Sequence, residues 1–235
     1  MRGLRVYLGL ELSIHVNKCR VLLKILIMKK HIFSIITAIW LLVLTIFIVM
    51  FTVESPTHRH TRDVYIERIE SKFNASREEL ATVVEDYIKT TAPSSILDPL
   101  NLIDLCAKYN IDLRFVLAQG HIESHFGTKG TARKTNSVFN VGAYDGHSAK
   151  RQIKNGFGFK HPDYSVEPYL KLLVKDYLVN KTEWDLMDNF VNTNGERYAS
   201  NLKYEKLIQD KFTLIDKSIG EVYNKFLMYK LQLGY

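Results

Sequence analysis

The chain has 235 residues, 46% hydrophobic and 24% charged, which excludes a low-hydrophobicity disordered polymer and allows one globular domain with appendages. Two cysteines exclude a disulfide-stapled scaffold. The net charge of +7 is front-loaded: Arg2, Arg5, Lys18, Arg20, Lys24, Lys29 and Lys30 face only Glu11, and the remainder is close to neutral, which argues against a nucleic-acid surface.

The first predicted element is an uncharged apolar run from Ile32 to Val53, long enough to cross a hydrocarbon core as one helix. It is apolar on every face, unlike a core helix, and no small-x-small site precedes Glu54, so it reads as an uncleaved anchor rather than a signal peptide. The basic residues on its N-terminal side predict a cytoplasmic segment over 1–31 and an exported remainder, periplasmic or extracellular. Met28-Lys29-Lys30 looks like the start of a signal anchor. Residues 1–27 therefore read either as an upstream extension of the reading frame or, through Val21, Leu22, Leu23 and Ile25, as an interfacial helix. With this topology Cys19 and Cys106 cannot pair, and Cys106 reads as a small buried helical residue.

Residues 54–97 read as a tether and stalk helix. A polar stretch with Pro56, His58, Arg59 and His60 leads into helical spacing of Ile66, Ile69, Phe73, Leu80, Val84 and Ile88. An interruption is expected around Asn74 to Ser76, where Ser76 and Glu79 suit a capping box, and the helix is either a stalk or the N-terminal part of the domain. Ala92-Pro93-Ser94-Ser95 marks a boundary, with the folded domain over 98–235. Helices are predicted over Leu100–Tyr109 and from Leu113 to about His125, the second with Asp112 as N-cap.

Residues 128–165 are rich in Gly, Asn, Thr and Ser, and Tyr144-Asp145-Gly146-His147 predicts a hairpin, because a type I′ turn needs positive φ at both central positions. Helix returns over Val166–Leu178, roughly Thr182–Asn192, and as a final pair across Asn201–Leu231. The fold class is thus mainly α, with a small β-hairpin lobe and one preceding transmembrane helix. The eight histidines form no HExxH pattern, and His121 and His125, spaced i, i+4, have no third ligand; no metal and no cofactor are expected.

Within LAQGHIESHFG (Leu117 to Gly127), Glu123 stands where a helical apolar pattern meets a polar, glycine-bearing segment. Apolar neighbours such as Ile122 and Phe126 strip hydration from a carboxylate and raise its pKa towards the range that protonates a leaving group. The same pattern also fits a solvated glutamate at a helix end.

The stretch from Tyr109-Asn110-Ile111 to Phe126-Gly127, with Leu117-Ala118-Gln119 and Glu123-Ser124, resembles the start of the bacterial N-acetylglucosaminidase domain of glycoside hydrolase family 73. Three later segments are similar to that family in the same order: Thr135 to Val141, the Tyr164-Ser165-Val166 region, and Arg197-Tyr198-Ala199-Ser200 followed by Tyr204, Lys206 and Leu207. The similarity spans about residues 98–212. It implies a lysozyme-like fold with a cleft and peptidoglycan glycan strands as substrate, while the export-facing placement of the domain argues against a nucleic-acid partner. It also implies that Glu123 matches the general acid and Tyr198 the tyrosine beside it, and that Asn136, Phe139 and Tyr164 fall where substrate-binding residues are expected. Phe139 reads equally well as hairpin core, and Tyr198 as a packed aromatic.

Many family members carry a second acid in the hairpin lobe, where this chain offers Asp145 and Asp163. Asp145 is the catalytic candidate, although turn geometry alone explains an Asp there. Two-carboxylate hydrolysis needs a pair about 5 Å apart for retention or roughly 6.5 to 9.5 Å for inversion. Without one, the substrate's N-acetyl group acts as nucleophile or the product forms by ring closure, as in lytic transglycosylases; a non-catalytic wall-binding protein is the remaining reading. Seven bases against one acid between Lys129 and Lys160 suit either an anionic polymer or plain solvation.

Overall fold

The computed structural model describes residues 28–30, 33–49, 56–142 and 148–234. Two compact units emerge, Met1–Val64 and Tyr65–Tyr235. In the first, helix α1 (Met28–Val49) is long and apolar enough to cross a membrane, and its large side chains, among them Phe33, Trp40, Leu41 and Phe47, are exposed.

Helix α2 (Pro56–Thr91) contributes to the second unit from Tyr65 onward. It runs without the break expected at Asn74 to Ser76. Ser76 is buried, and its hydroxyl donates back to the Phe73 carbonyl at 2.8 Å, so a residue suited to capping is satisfied inside the helix instead. Leu80, Val84 and Ile88 are buried in the same core as the later helices, which makes this half of α2 part of the folded domain. Pro93 follows its end, where a proline cannot extend the helical ladder.

Helix α3 (Pro99–Tyr109) starts with Asp98 accepting the Leu100 N–H and Pro99 in the first turn, and ends on Asn110 at φ +52°. Helix α4 (Leu113–Ser124) starts on Asp112, which accepts the Arg114 N–H, and ends on His125 at φ +47°. Both starts and ends follow capping chemistry that the sequence announces. Two short helices come next, α5 (Ala132–Thr135) and α6 (Ala149–Lys154), packed on each other. A 3₁₀ turn over Pro162–Ser165 leads into α7 (Val166–Leu172), which closes with a π turn over Leu173–Tyr177. Helix α8 (Glu183–Asp188) begins with a capping box between Thr182 and Asp185.

The expected C-terminal pair is one helix, α9 (Tyr204–Gln232). Gly220 lies inside it without breaking it, because its backbone is buried against the core rather than open to water. Helices α4 and α9 pack antiparallel: Arg114 meets Asp216 near one end, and Glu123 meets Tyr204 near the other. Tyr169, Phe115, Phe126, Phe139 and Phe190 are the largest of the fully buried side chains among the described residues.

The molecule is mainly helical, as the sequence predicts and as a lysozyme-like domain requires. The hairpin lobe differs from expectation. Among the described residues the only β pairing is an isolated bridge between Val191 and Arg197; Val138 and Phe139 lie in a turn, and residues 149–154 are helix α6. The short apolar run of Val138, Phe139 and Val141 reads as strand by composition, but it serves as a linker whose Val138 and Phe139 side chains point into the helical core. Tyr144, Asp145, Gly146 and His147 lie outside the described residues.

Candidate active site

Glu123 sits one residue before the end of α4 and is only partly exposed. Immediately after it the chain turns sharply, because His125, Phe126 and Gly127 all have positive φ, at +47°, +55° and +85°. Such a conformation is costly for a bulky residue such as Phe126, by on the order of 1 kcal/mol or more, and holds only when the surroundings over-determine it. They do so here: the Phe126 ring is 1% exposed, its N–H donates to the Gly120 carbonyl at 2.9 Å, and its carbonyl accepts from the Ser95 hydroxyl at 2.9 Å. Gly120 is required by this packing, since a Cβ there would meet the Phe126 ring at 3.1 Å and the Phe139 ring at 3.4 Å.

Two donors reach the Glu123 carboxylate. The Tyr204 hydroxyl donates to Oε1, and the Asn140 Nδ2 donates to Oε2 at 3.2 Å while also reaching the Glu123 carbonyl at 2.8 Å. The Tyr204 oxygen in turn accepts from Gln119 Nε2 at 3.1 Å. Gln119 and Glu123 are four residues apart on one face of α4, so a single tyrosine hydroxyl from α9 bonds both. Burial raises the Glu123 pKa above the ordinary carboxylate range, and the hydrogen bonds from Tyr204 and Asn140 pull it back only in part. Desolvation also pushes the Tyr204 phenol well up, with the Glu123 charge acting in the same sense, so Tyr204 remains a donor.

The segment carrying Asn140 is fastened along its length. Asn136 Nδ2 donates to the Phe159 carbonyl at 2.9 Å, the Ser124 hydroxyl donates to the Val138 carbonyl at 2.6 Å, and the Val138 N–H donates to Ser165 Oγ at 3.0 Å. The Tyr198 hydroxyl donates to the Phe139 carbonyl at 3.0 Å. The backbone entering Asn140 is thereby fixed, and with it the approach of its amide to Glu123.

These contacts define where the residues expected from sequence lie. Glu123 occupies a partly buried, hydrogen-bonded position. Tyr198 is close by but binds a backbone carbonyl, and its ring forms a triangle of aromatic contacts with Phe190 at 4.7 Å and Tyr204 at 5.7 Å; the hydroxyl on Glu123 belongs to Tyr204. Phe139 is 1% exposed and stacks on Tyr169 at 3.9 Å, so its ring is core and offers no face to a sugar. Asn136 is committed to Phe159. Tyr164 is 63% exposed beside His161. Asp145 lies outside the described residues, and Asp163 is engaged with the Asp98 N–H at 2.8 Å and His161 Nδ1 at 2.9 Å.

Sequence reasoning missed Tyr204, Asn140 and Gln119 as a set. The one local signal was the i, i+4 spacing of Gln119 and Glu123; Tyr204 is 81 positions away from Glu123. The Arg197 to Ser200 turn that precedes Tyr204 is held by Arg197, which reaches the Asn201 carbonyl at 3.2 Å and Glu205 at 2.9 Å. Among the described residues no group of three or more His, Cys, Asp or Glu could hold a metal ion. His121 is spent elsewhere, with its Nδ1 hydrogen-bonded to the Tyr87 hydroxyl at 2.8 Å.

A family model described as Glucosaminidase: Mannosyl-glycoprotein endo-beta-N-acetylglucosaminidase matches residues 100–216. That span contains α3 from Leu100 onward, α4 to α8, the first part of α9, and both described residues that hydrogen-bond the Glu123 carboxylate, Asn140 and Tyr204. Comparison with curated proteins and with solved structures gave no match.

Proposed function

The chain carries a glucosaminidase-family domain over residues 100–216, and from that premise we propose that it is a membrane-anchored peptidoglycan hydrolase that cleaves the glycan strand after N-acetylglucosamine, with Glu123 as general acid. The single observation that supports the acid most directly is the partly buried Glu123 carboxyl, raised in pKa and held by Tyr204 and Asn140. A carboxyl with a raised pKa holds its proton to a higher pH than an ordinary one and can pass it to the glycosidic oxygen as the bond to C1 breaks. Water then adds at C1 and leaves a reducing N-acetylglucosamine end. Tyr204 and Asn140 next hold the carboxylate that results, and reprotonation from solvent closes the cycle.

Tyr198 acts in this reading as a positioning residue, stacked on Tyr204 and bonded to the segment that carries Asn140. Tyr164 supplies an exposed aromatic surface for a sugar, and Asp145 remains the proposed second carboxylate. Helix α1 serves as the anchor, with the basic residues before it on the cytoplasmic side and the folded unit from Tyr65 onward outside, where wall is found.

Ring closure instead of water attack is the second chemistry, favoured by the engagement of Asp163, the described acid between Gly127 and Tyr164, with the Asp98 N–H and His161. Mass spectrometry of the products from purified sacculi separates the two. Reducing N-acetylglucosamine ends are expected. Products ending only in anhydro sugars would replace hydrolysis by transglycosylation, and intact sacculi would leave a wall-binding protein.

A further inference from the structure

Cations on this domain are mostly partnered where they matter structurally: Arg77 with Asp104, Lys108 with Glu167, Arg114 with Asp112 and Asp216, Arg197 with Glu205. The α5–α6 pair is different. Arg133 and Lys134 on α5, and Lys150, Arg151 and Lys154 on α6, are all exposed, and none has a carboxylate partner among the described residues. In sequence, Asp145 is the only acid between Gly127 and Pro162, so the surface has almost nothing of its own to neutralise it. Five like charges on two short packed helices repel one another, and an anion relieves that repulsion.

The surface is also concave. Lys134, Ser148, Ala149, Lys150 and Ile153 line a hollow of about 390 Å³, within the size range of small-ligand clefts. Its lining is mostly apolar, with the half-exposed Ile153 and Ala149 in it and the exposed cationic residues Lys134 and Lys150 among its walls. A peptide-free glycan strand offers such a place only one lactyl carboxylate per muramic acid, whereas a short stem peptide offers several carboxylates together with small aliphatic side chains.

The hollow is tied to the site around Glu123. Helix α5 runs directly into the segment that ends on Asn140, and the loop after α6 is fastened to that junction, with the Phe159 N–H on the Thr135 carbonyl at 2.7 Å and the Phe159 carbonyl on Asn136. A ligand group held by α5 and α6 is therefore bound by elements continuous with the segment that carries a donor to Glu123.

We propose that the α5–α6 hollow is a subsite for the carboxylate-bearing stem peptides of the substrate, with Lys134 and Lys150 as the carboxylate partners and Ala149 and Ile153 as the surface for the alanine side chains. This rests on the peptidoglycan reading above. It makes the enzyme selective for strands that still carry acidic peptides over stripped strands or strands whose peptide carboxylates are amidated.

The test is equilibrium binding to the full-length protein in detergent micelles. The probe is a fluorescent tetrapeptide of alanine, glutamate, a diamino acid and alanine, compared with the same peptide amidated at its carboxylates and with poly(glycerol phosphate). Binding of the acidic peptide is expected to weaken with salt, to fall about tenfold in Lys134→Gln/Lys150→Gln, and to fall by a similar factor on amidation. Equal binding by the double variant, equal binding of the amidated peptide, or binding of the phosphate polymer in place of the peptide would overturn the proposal. Cleavage of peptide-free glycan strands, measured in parallel, speaks to the hydrolase reading alone, so the two can fail separately.

Discussion

At Glu123 two opposing effects are of similar kind but unequal size. Donors from Tyr204 and Asn140 favour the carboxylate, whereas loss of water favours the acid, and the net upward shift means that burial wins. Removing a donor should widen the difference. A hydrogen bond to a charged group is worth about 1.5 to 3 kcal/mol, or roughly one to two pH units. Tyr204→Phe is thus expected to move the alkaline limb of the pH–rate profile upward by about one unit, while Tyr198→Phe, whose hydroxyl serves a backbone carbonyl, leaves that limb in place. A limb that shifts with Tyr198 and not with Tyr204 would reverse the assignment. Glu123 as a candidate was legible in the sequence, from its apolar neighbours together with the family resemblance of the motifs around and after it. Its partners were not, since one lies 81 positions away and the other follows a run that composition alone reads as strand.

At the scale of elements, α4 is held at both ends and along one side. Asp112 caps it and pairs with Arg114, which reaches Asp216 on α9 and lies over the Phe212 and Tyr223 rings. Tyr87 of α2 closes the side through its hydrogen bond to His121. Burial, with Lys211, His125 and Lys129 adding positive charge, lowers the His121 pKa to about 4. A base with a depressed folded pKa keeps its full contribution above the unfolded value near 6.5 and loses it as pH falls towards 4, on the order of 3 kcal/mol in all. Glu123 has the opposite sign: its raised pKa makes the fold lose stability as pH rises above the ordinary carboxylate range. In a Glu123→Gln background, where that opposing slope is gone, chemical denaturation from pH 7 to pH 4 should show a loss that His121→Phe removes. Parallel pH profiles for the two proteins would contradict it. The limits of α3 and α4 were readable because caps are local chemistry. The unbroken α2 and α9 were not, because a buried Ser76 and a buried Gly220 are tolerated only through packing that no local pattern records.

For the whole molecule, charge and apolarity are segregated along the chain: a basic start, an apolar helix α1, a nearly neutral domain, and positive charge concentrated on α5 and α6. The glucosaminidase-family match covers the part of this arrangement that builds the Glu123 site. The central claim is that this one carboxyl donates the proton that breaks the glycan strand. The direct measurement is release of reducing ends from purified sacculi by the full-length protein and its Glu123→Gln variant, with the helical circular dichroism of both recorded. A general acid contributes about 10²- to 10⁴-fold, so the variant should lose at least about a hundredfold in rate while remaining folded and, at neutral pH, at least as stable as the parent. A folded Glu123→Gln protein that releases reducing ends at the parent's rate would contradict the account.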